Sequence, residues 1–358
     1  MPSPSTETGS STQPPTTDDP PTESSETGEG GSGMVFKGGS VPELGQVDIA
    51  VDKGVITQVG PDLPTPSGTI VVDVSGHYLV PSFIDSHVHL AYLPSSATLG
   101  RRGIAAAIDL AAPAEFLTTP VSPIAVLRSG PMVTAVGGYP TQGWGADGYG
   151  VECADAPAVE AAIDELVNQG ANLIKVPVTS SPVLDNTALA QAATTAHGHG
   201  LKVATHALSD NQALAAGQAN FDVLAHTPTE ALSEQTIELW GERAVVTTLA
   251  AFGGSATRAN LRALADAGAL ILYGTDLGNT RDAGIQVDEV QYMLDAGFTA
   301  TEILAAGTST PAAYWGFDNL GALAVGKDAS FLVVAEDPLA NPLTLAQPVE
   351  VYLHGSPQ

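Results

Sequence analysis

Residues 83–90, FIDSHVHL, are the stretch around which the rest of the chain is interpreted. The stretch is short, apolar and partly β-branched, and it follows the proline-containing run YLVPS, a pattern typical of a buried strand. His87 and His89 stand two residues apart, a spacing that puts both imidazoles on one face of a strand. Two such imidazoles form half of a metal site. Taken alone, an H-x-H pair is equally consistent with packed or surface histidines.

The composition excludes several classes of partner and site. The chain has 358 residues, with 39 Asp plus Glu against 12 Lys plus Arg, and a formal net charge of −27. Because such a surface repels nucleic acid and anionic lipid, we expect neither as a partner. No apolar run is long enough to span a bilayer. The one cysteine, Cys153, excludes an internal disulfide and a two-cysteine metal site.

The first 33 residues differ in composition from the rest. They are rich in Ser, Thr, Pro, Gly, Asp and Glu and contain no aromatic residue, Lys or Arg, so we expect residues 1–33 to be disordered. The segment has neither the charged region nor the apolar region of a signal peptide. It resembles the tether that follows the anchor cysteine of a bacterial surface lipoprotein. This resemblance favours a cell-envelope or secreted protein over the alternative, a cytoplasmic one.

Two segments at opposite ends of the chain share a pattern of short strands and turns. Residues 34–80 alternate apolar and polar positions with Gly and Pro between them, and Lys53-Gly54 predicts a hairpin turn. Residues 320–358 return to the same style. We therefore expect the two segments to form one small β-sandwich domain.

Residues 81–319 predict an α/β barrel. Short apolar runs alternate there with alanine-rich helical stretches, as in parallel βαβ units. The predicted strands are 83–90, 103–111, 132–138, 172–178, 202–207, 221–227, 244–251 and 270–276. Eight strand–helix units indicate a TIM (β/α)8 barrel, in which the chemistry lies at the C-terminal ends of the strands.

Ionisable side chains stand at or near the ends of five of these strands. The first strand carries two, and the fourth, fifth, sixth and eighth carry one each. Because these strand ends meet at one mouth of a barrel, we expect the six side chains to share one cavity. In chain order they are His87, His89, Lys175, His206, His226 and Asp276.

These residues and their flanks resemble the amidohydrolase superfamily of metal-dependent hydrolases. The run VDVSGHYLVPSFIDSHVHL resembles the family's entry into the first strand, with Ser82 in place of the usual glycine. The runs TSTPAAYWGF and LGALAVGKDASFLVVAEDPL resemble its exit, with Ser330 in place of the usual aspartate. The resemblance covers residues 35–358 and looks closest to the imidazolonepropionase-like or Xaa-Pro-dipeptidase-like branch.

The resemblance implies a binuclear metal centre. His87, His89 and Asp276 would hold one divalent ion, and His206 and His226 a second. Imidazole ligands suit Zn²⁺, which we expect first, with Fe, Co or Mn as alternatives.

Lys175 would carry a carbamate derived from CO₂ that bridges both ions, since a bare ammonium in an apolar strand is costly and repels cations. The alternative is a lysine that snorkels or pairs with Asp276.

The chemistry implied is hydrolysis of an amide or another C–N bond in a small, dipeptide-like or N-acyl compound. A metal-bridging hydroxide would attack the carbonyl carbon, and Asp276 would accept its proton and pass it to the leaving group. The alternatives are a lactone or phosphotriester hydrolase on the same metals, a mononuclear deaminase or imidazolone-type hydrolase, and a metal-free binding protein that keeps the fold.

Substrate contacts are expected from loops that follow the strands. Tyr139, Trp144 and Tyr149 lie in the long Gly-rich loop after the third predicted strand, where they would cover a bound substrate. Arg281 follows Asp276 and is the best cation for a substrate carboxylate, because the chain has so few others. The expected partner is a small molecule, and the sequence leaves a homo-oligomer open.

Overall fold

The computed structural model describes residues 33–42 and 44–358, which belong to one compact unit. Of the predicted disordered tail, residues 1–32 lie outside the described residues, so that prediction and the envelope location that depends on it stay predictions. Within the described ranges, no helix is long and apolar enough to cross a membrane.

The described residues alternate between strands and helices along most of the chain. The strands are β1 (Met34–Val41), β2 (Gly45–Asp52), β3 (Val55–Gly60), β4 (Ile70–Asp73), β5 (Tyr78–Pro81), β6 (Phe83–Val88), β7 (Ile104–Asp109), β8 (Ala125–Arg128), β9 (Met132–Ala135), β10 (Gly150–Cys153), β11 (Ile174–Pro177), β12 (Val203–His206), β13 (Val223–Leu224), β14 (Ala244–Val246), β15 (Leu270–Leu272), β16 (Phe331–Val334), β17 (Glu350–Leu353) and β18 (Ser356–Pro357). The α-helices are α1 (Ser96–Arg101), α2 (Ala156–Asn168), α3 (Asn186–Gly198), α4 (Asp210–Gln218), α5 (Glu234–Trp240), α6 (Leu249–Phe252), α7 (Ser255–Asp266), α8 (Val287–Asp295), α9 (Ala300–Gly307) and α10 (Ser309–Trp315). Short 3₁₀ helices span Ala114–Thr118 and Pro342–Ala346.

One mixed sheet joins the two ends of the described chain. Its strand order is β18-β17-β16-β5-β1-β2-β3, with β4 paired to β1. In its core the Phe36 ring lies edge-on to Phe331 and Tyr352, with centroids 4.8 and 4.7 Å apart. The predicted association of the two segments is therefore visible. The predicted sandwich of two sheets is not confirmed, because hydrogen bonds join these eight strands into a single sheet.

One turn and one helix start follow directly from the local sequence. Lys53 and Gly54 connect β2 to β3 with φ of 49° and 80°, as a hairpin turn with two left-handed residues requires. The Asp155 side chain accepts a hydrogen bond from the Ala158 amide at 3.0 Å and so caps α2. The predicted hairpin turn is confirmed.

Parallel strands make up the middle of the chain. Strands β6, β7 and β8 form one parallel sheet, and β11 to β15 form another in sequence order. The Ser86 amide donates to the Tyr273 carbonyl and the His89 amide to the Leu277 carbonyl, each at 2.8 Å, so the first of these strands is bonded to the segment after the last. The fold is thus a TIM-barrel-like α/β fold.

Two predicted strands need correction. Beside β6, the other neighbour of β7 is β8, a strand that was not predicted. Strand β9 lies within the predicted strand 132–138 and pairs with β10. The predicted strand 244–251 ends early, at Val246, because Thr248 adopts a left-handed φ of 43° and α6 begins at Leu249.

Candidate active site

One cavity of about 320 Å³ brings the six predicted site residues together. They enter it from β6 and the segment just after it, from β11 and β12, and from the segments after β13 and β15. These positions agree with chemistry at the C-terminal ends of parallel strands. The six are His87, His89, Lys175, His206, His226 and Asp276.

Three of them form a compact donor cluster. His87 Nε2 lies 3.2 Å from His89 Nε2, and Asp276 Oδ1 lies 3.4 Å from the first nitrogen and 3.2 Å from the second. Ligand atoms about 2.0–2.1 Å from a tetrahedral zinc ion are roughly 3.3–3.4 Å from one another. The three donor atoms therefore have the spacing of ligands to one ion.

Backbone carbonyls fix the orientation of the two histidines in this cluster. His87 Nδ1 is 2.8 Å from the Ala225 carbonyl oxygen, and His89 Nδ1 is 3.3 Å from that of Ala111. Because a carbonyl only accepts, each Nδ1 carries the proton and each Nε2 presents a lone pair to the cluster. Burial also lowers the pKa of His87 well below its usual value. This is the neutral, metal-ligating form of imidazole.

His206 and His226 form a second pair, with ring centroids 4.7 Å apart. Burial, followed by the nearby Lys175 charge, lowers the pKa of His206 to about 3. Burial also lowers the pKa of His226 well below its usual value. Both rings are therefore neutral near pH 7 and able to coordinate a metal.

Lys175 is fully buried, and its Nζ has no hydrogen-bond partner among the described residues. The described residues also contain no Lys175–Asp276 ion pair within 4.0 Å, so the geometry does not favour that alternative. Burial lowers the pKa of Lys175 to about 7, which leaves a substantial neutral fraction at physiological pH. A neutral amine is the form that reacts with CO₂, so the site fits a carbamate at this position.

Asp276 lies in the left-handed region, with φ of 52°, a conformation that aspartate tolerates better than most residues. Its Oδ2 accepts a hydrogen bond from Asn279 Nδ2 at 3.1 Å. Burial by itself would raise the pKa of Asp276, but the hydrogen bond from the Asn279 amide helps to hold it below its usual value. The carboxylate is therefore ionised.

A buried aspartate that sequence reasoning missed ties the ligand-bearing segments together. Asp85 Oδ1 accepts the amides of His87 at 3.1 Å and Thr275 at 3.0 Å, and its Oδ2 accepts Thr275 Oγ1 at 2.6 Å. These bonds connect the backbone beside His87 to the backbone beside Asp276. Asp85 lies in the FIDSHVHL stretch, and the strand period of two places it on the same face as the histidines. That period does not predict its hydrogen bonds to Thr275.

The loop after β9 supplies an aromatic wall. Trp144 lies edge-on to His89, with centroids 5.3 Å apart, and Tyr139 lies 5.0 Å from His206. Trp144 Nε1 donates a hydrogen bond to Tyr139 Oη at 2.9 Å. Both predicted substrate residues line the cavity.

The other two predicted substrate residues are placed differently. Arg281 lines the cavity, and its guanidinium lies over the Tyr92 ring at 5.5 Å from the centroid. Tyr149 packs against Trp144 at 5.1 Å within a small apolar cluster that includes Met132, so its contact is with the wall rather than with the cavity.

Phe252 and Met132 also line the cavity, and sequence reasoning missed both. Phe252 follows β14, and side chains after barrel strands point towards the site. That rule could have identified it, had the strand been ended at Val246.

Histidines and a carboxylate lie together at the strand ends of a parallel α/β fold. This is the arrangement expected of a metal-dependent hydrolase. The amidohydrolase family model matches residues 78–355, so the chain belongs to the amidohydrolase family. This match confirms the predicted family and the prediction that the chain is an amidohydrolase-type enzyme.

One curated relative matches this chain over a short segment, and two solved structures match it in fold. Dihydroorotase from Mycobacterium tuberculosis is 51% identical over 45 residues, which are 13% of this chain and only 10% of that relative. A crystal structure of a Xaa-Pro dipeptidase with bound methionine has a TM-score of 0.80 and 18% identity, covering 91% of this chain and 100% of the other. Phenylurea hydrolase B has a TM-score of 0.76 and 18% identity, covering 91% and 97%. At such identities the two structures show the shared fold.

Proposed function

We propose that this chain is a binuclear metal-dependent hydrolase that cleaves an amide or another C–N bond of a small dipeptide-like or N-acyl molecule. The observation that carries the proposal is the Lys175 amine, which is fully buried and has no hydrogen-bond partner among the described residues. It lies in a cavity that also holds four histidines and an ionised aspartate. A mononuclear site needs no such amine.

The donor set fits two ions. His87, His89 and Asp276 would hold one, and their mutual spacing matches tetrahedral ligation. His206 and His226 would hold the second, with a Lys175 carbamate as the shared anionic ligand. Zinc is the preferred ion for this imidazole-rich set, with Fe, Co and Mn as the alternatives. Bound divalent ions would acidify water and polarise the carbonyl group.

The ionised carboxylate of Asp276 has the proton-handling role in this proposal. Water adds its oxygen to the carbonyl carbon, and the Asp276 carboxylate accepts the proton that this water loses. The C–N bond then breaks, and the proton passes from Asp276 to the leaving nitrogen. The Asn279 amide, 3.1 Å from Oδ2, keeps that oxygen oriented while the proton is held.

The wall residues orient the substrate. Tyr139 and Trp144 would cover its apolar part, with Tyr149 supporting Trp144 from behind. Arg281 would bind a substrate carboxylate. Among the described cavity residues, the other Lys or Arg side chain is Lys175, which has the ligand role in this proposal.

We also propose that the parallel strands close into a (β/α)8 barrel over residues 81–319, with residues 34–80 and 320–358 as a small β-domain. The bonds from Ser86 to Tyr273 and from His89 to Leu277 support closure. The separate apolar cluster around Phe36 supports the small domain.

The test is a substrate screen of the full chain loaded with zinc and bicarbonate. N-acyl amino acids and dipeptides form one arm, and lactones, phosphotriesters and carbamates form the others. We expect cleavage in the amide arm, loss of activity in Lys175→Ala, and retention in the control Lys202→Ala, which removes a lysine packed on the Tyr314 ring. Preferred cleavage of lactones or phosphotriesters, or full activity in Lys175→Ala, would contradict the proposal.

A further inference from the structure

Glu289 is a fully buried carboxylate of α8 that has no role in the proposed ligand set. Its Oε1 accepts the Leu249 amide at 2.9 Å, and its Oε2 accepts the Ala250 amide at 2.7 Å. These amides open α6, where a first helical turn has no carbonyl partners of its own. Glu289 therefore fixes the start of α6 from a neighbouring element.

The segment that Glu289 holds is strained. Thr248, immediately before α6, has φ of 43°, a conformation that a β-branched residue adopts only where its surroundings impose it. The Thr248 amide donates to the Gly274 carbonyl at 3.1 Å, and its Oγ1 lies 3.3 Å from His226 Nδ1. The turn after β14 is thus held from α8 on one side and from the cavity on the other.

Phe252 is the side chain that this turn delivers to the cavity. Its ring centroid lies 4.6 Å from that of His226 and 6.2 Å from that of His206. The cavity of about 320 Å³ is at the small end of the usual range of about 300–1,000 Å³ for ligand sites. An aromatic ring in that position takes up space that a substrate group would otherwise fill.

We propose that Phe252 is a specificity-determining residue that limits the size of the substrate group beside His206 and His226. Glu289 acts through it as a positioning residue by fixing α6. This role rests on the proposed function, because it takes the cavity as the hydrolytic site. The new element is the residue that selects among the substrates of that site.

The test uses the full chain loaded with zinc and bicarbonate and two series of N-acyl amino acids. In one series the acyl group grows from acetyl to benzoyl, and in the other the amino acid grows from glycine to phenylalanine. The quantity compared is kcat/KM for the largest substrate of a series divided by kcat/KM for the smallest. Phe252→Ala should raise this ratio about 10-fold or more in one series, with unchanged metal content. Phe252→Tyr should keep the wild-type ratio.

Glu289→Gln should shift the same ratio in the same direction by a smaller factor. Val287→Ala, an exposed position of α8, is the matched control and should leave the ratio unchanged. A Phe252→Ala ratio within about two-fold of wild type in both series would overturn the specificity role. A changed ratio in Phe252→Ala together with an unchanged one in Glu289→Gln would overturn the positioning role.

A binding measurement separates failure of this inference from failure of the proposed function. If the loaded wild type cleaves neither series, the proposed amide hydrolysis fails. Calorimetric titration with acetate and benzoate then decides the role of Phe252. Phe252→Ala should favour benzoate over acetate by about 10-fold more than wild type, and an unchanged preference would overturn the inference.

Discussion

Replacing Lys175 with methionine should have opposite effects on the metal-free and metal-loaded protein. Methionine fills a similar volume without a charge. In the metal-free state the substitution removes a buried amine whose Nζ has no partner among the described residues. In the loaded state it removes the proposed bridging ligand.

The magnitude follows from the depressed pKa of the amine. Burial lowers the pKa of Lys175 from 10.5 to about 7, and each pKa unit corresponds to about 1.4 kcal/mol. The unfolded chain binds this proton more tightly than the folded one, so the wild type loses stability as the pH falls from about 10.5 to about 7. Metal-free Lys175→Met should therefore be more stable by about 4 kcal/mol at pH 7, with the advantage vanishing near pH 10.5.

Urea unfolding of chelator-treated protein at several pH values measures this difference. Lys202→Met serves as the control and should change the free energy of unfolding by no more than about 0.5 kcal/mol. A metal-free Lys175→Met protein that is less stable than wild type at pH 7 would refute the reasoning. So would a stability gain that does not shrink between pH 7 and pH 10.5.

Three further perturbations test other parts of the structure. Asp85→Ala leaves the buried donors of His87 and Thr275 unpaired and should lower the free energy of unfolding by roughly 3 kcal/mol and weaken zinc binding, as urea unfolding and zinc titration would show. Chelation should lower the Tm of the wild type, because ions bound at 1,000 times their Kd stabilise by about 4 kcal/mol. Burial raises the pKa of Glu289 from 4.5 to about 7, so the contribution of this residue to stability should fall by up to about 3 kcal/mol as the pH rises across that window. Glu289→Gln should remove this contribution from pH-dependent unfolding curves.

Each of these outcomes has a clear opposite. An Asp85→Ala protein with wild-type zinc affinity would mean that the Asp85 bonds do not position the ligands. A Tm unaffected by chelation would indicate that the cavity holds no stabilising ion. A pH dependence identical in wild type and Glu289→Gln would show that the carboxyl titrates outside that window.

The candidate site residues could be predicted because two simple rules apply to them. His87 and His89 follow the period of two of a strand, and Lys175, His206 and His226 stand at or near the ends of apolar runs, where parallel strands open to one cavity. The structure brings them together with Asp276. Their roles as ligands stay a proposal.

The supporting residues were missed because their positions depend largely on tertiary contacts. Asp288 and Glu289 are neighbours on α8, yet the first is exposed and the second is fully buried, and the sequence does not show which carboxylate caps another helix. Phe252 lies in a helix of four residues, too short for a 3.6-residue period to be visible. Strand β8 was missed because its short apolar run lies only a few residues before that of β9.

The metal-to-chain ratio after loading with zinc and bicarbonate tests the central claim most directly. Elemental analysis of the gel-filtered protein should find about two ions per chain for the wild type, and Lys175→Met should lose that stoichiometry. A wild-type ratio below about one, under conditions in which the protein is folded, would contradict a binuclear centre.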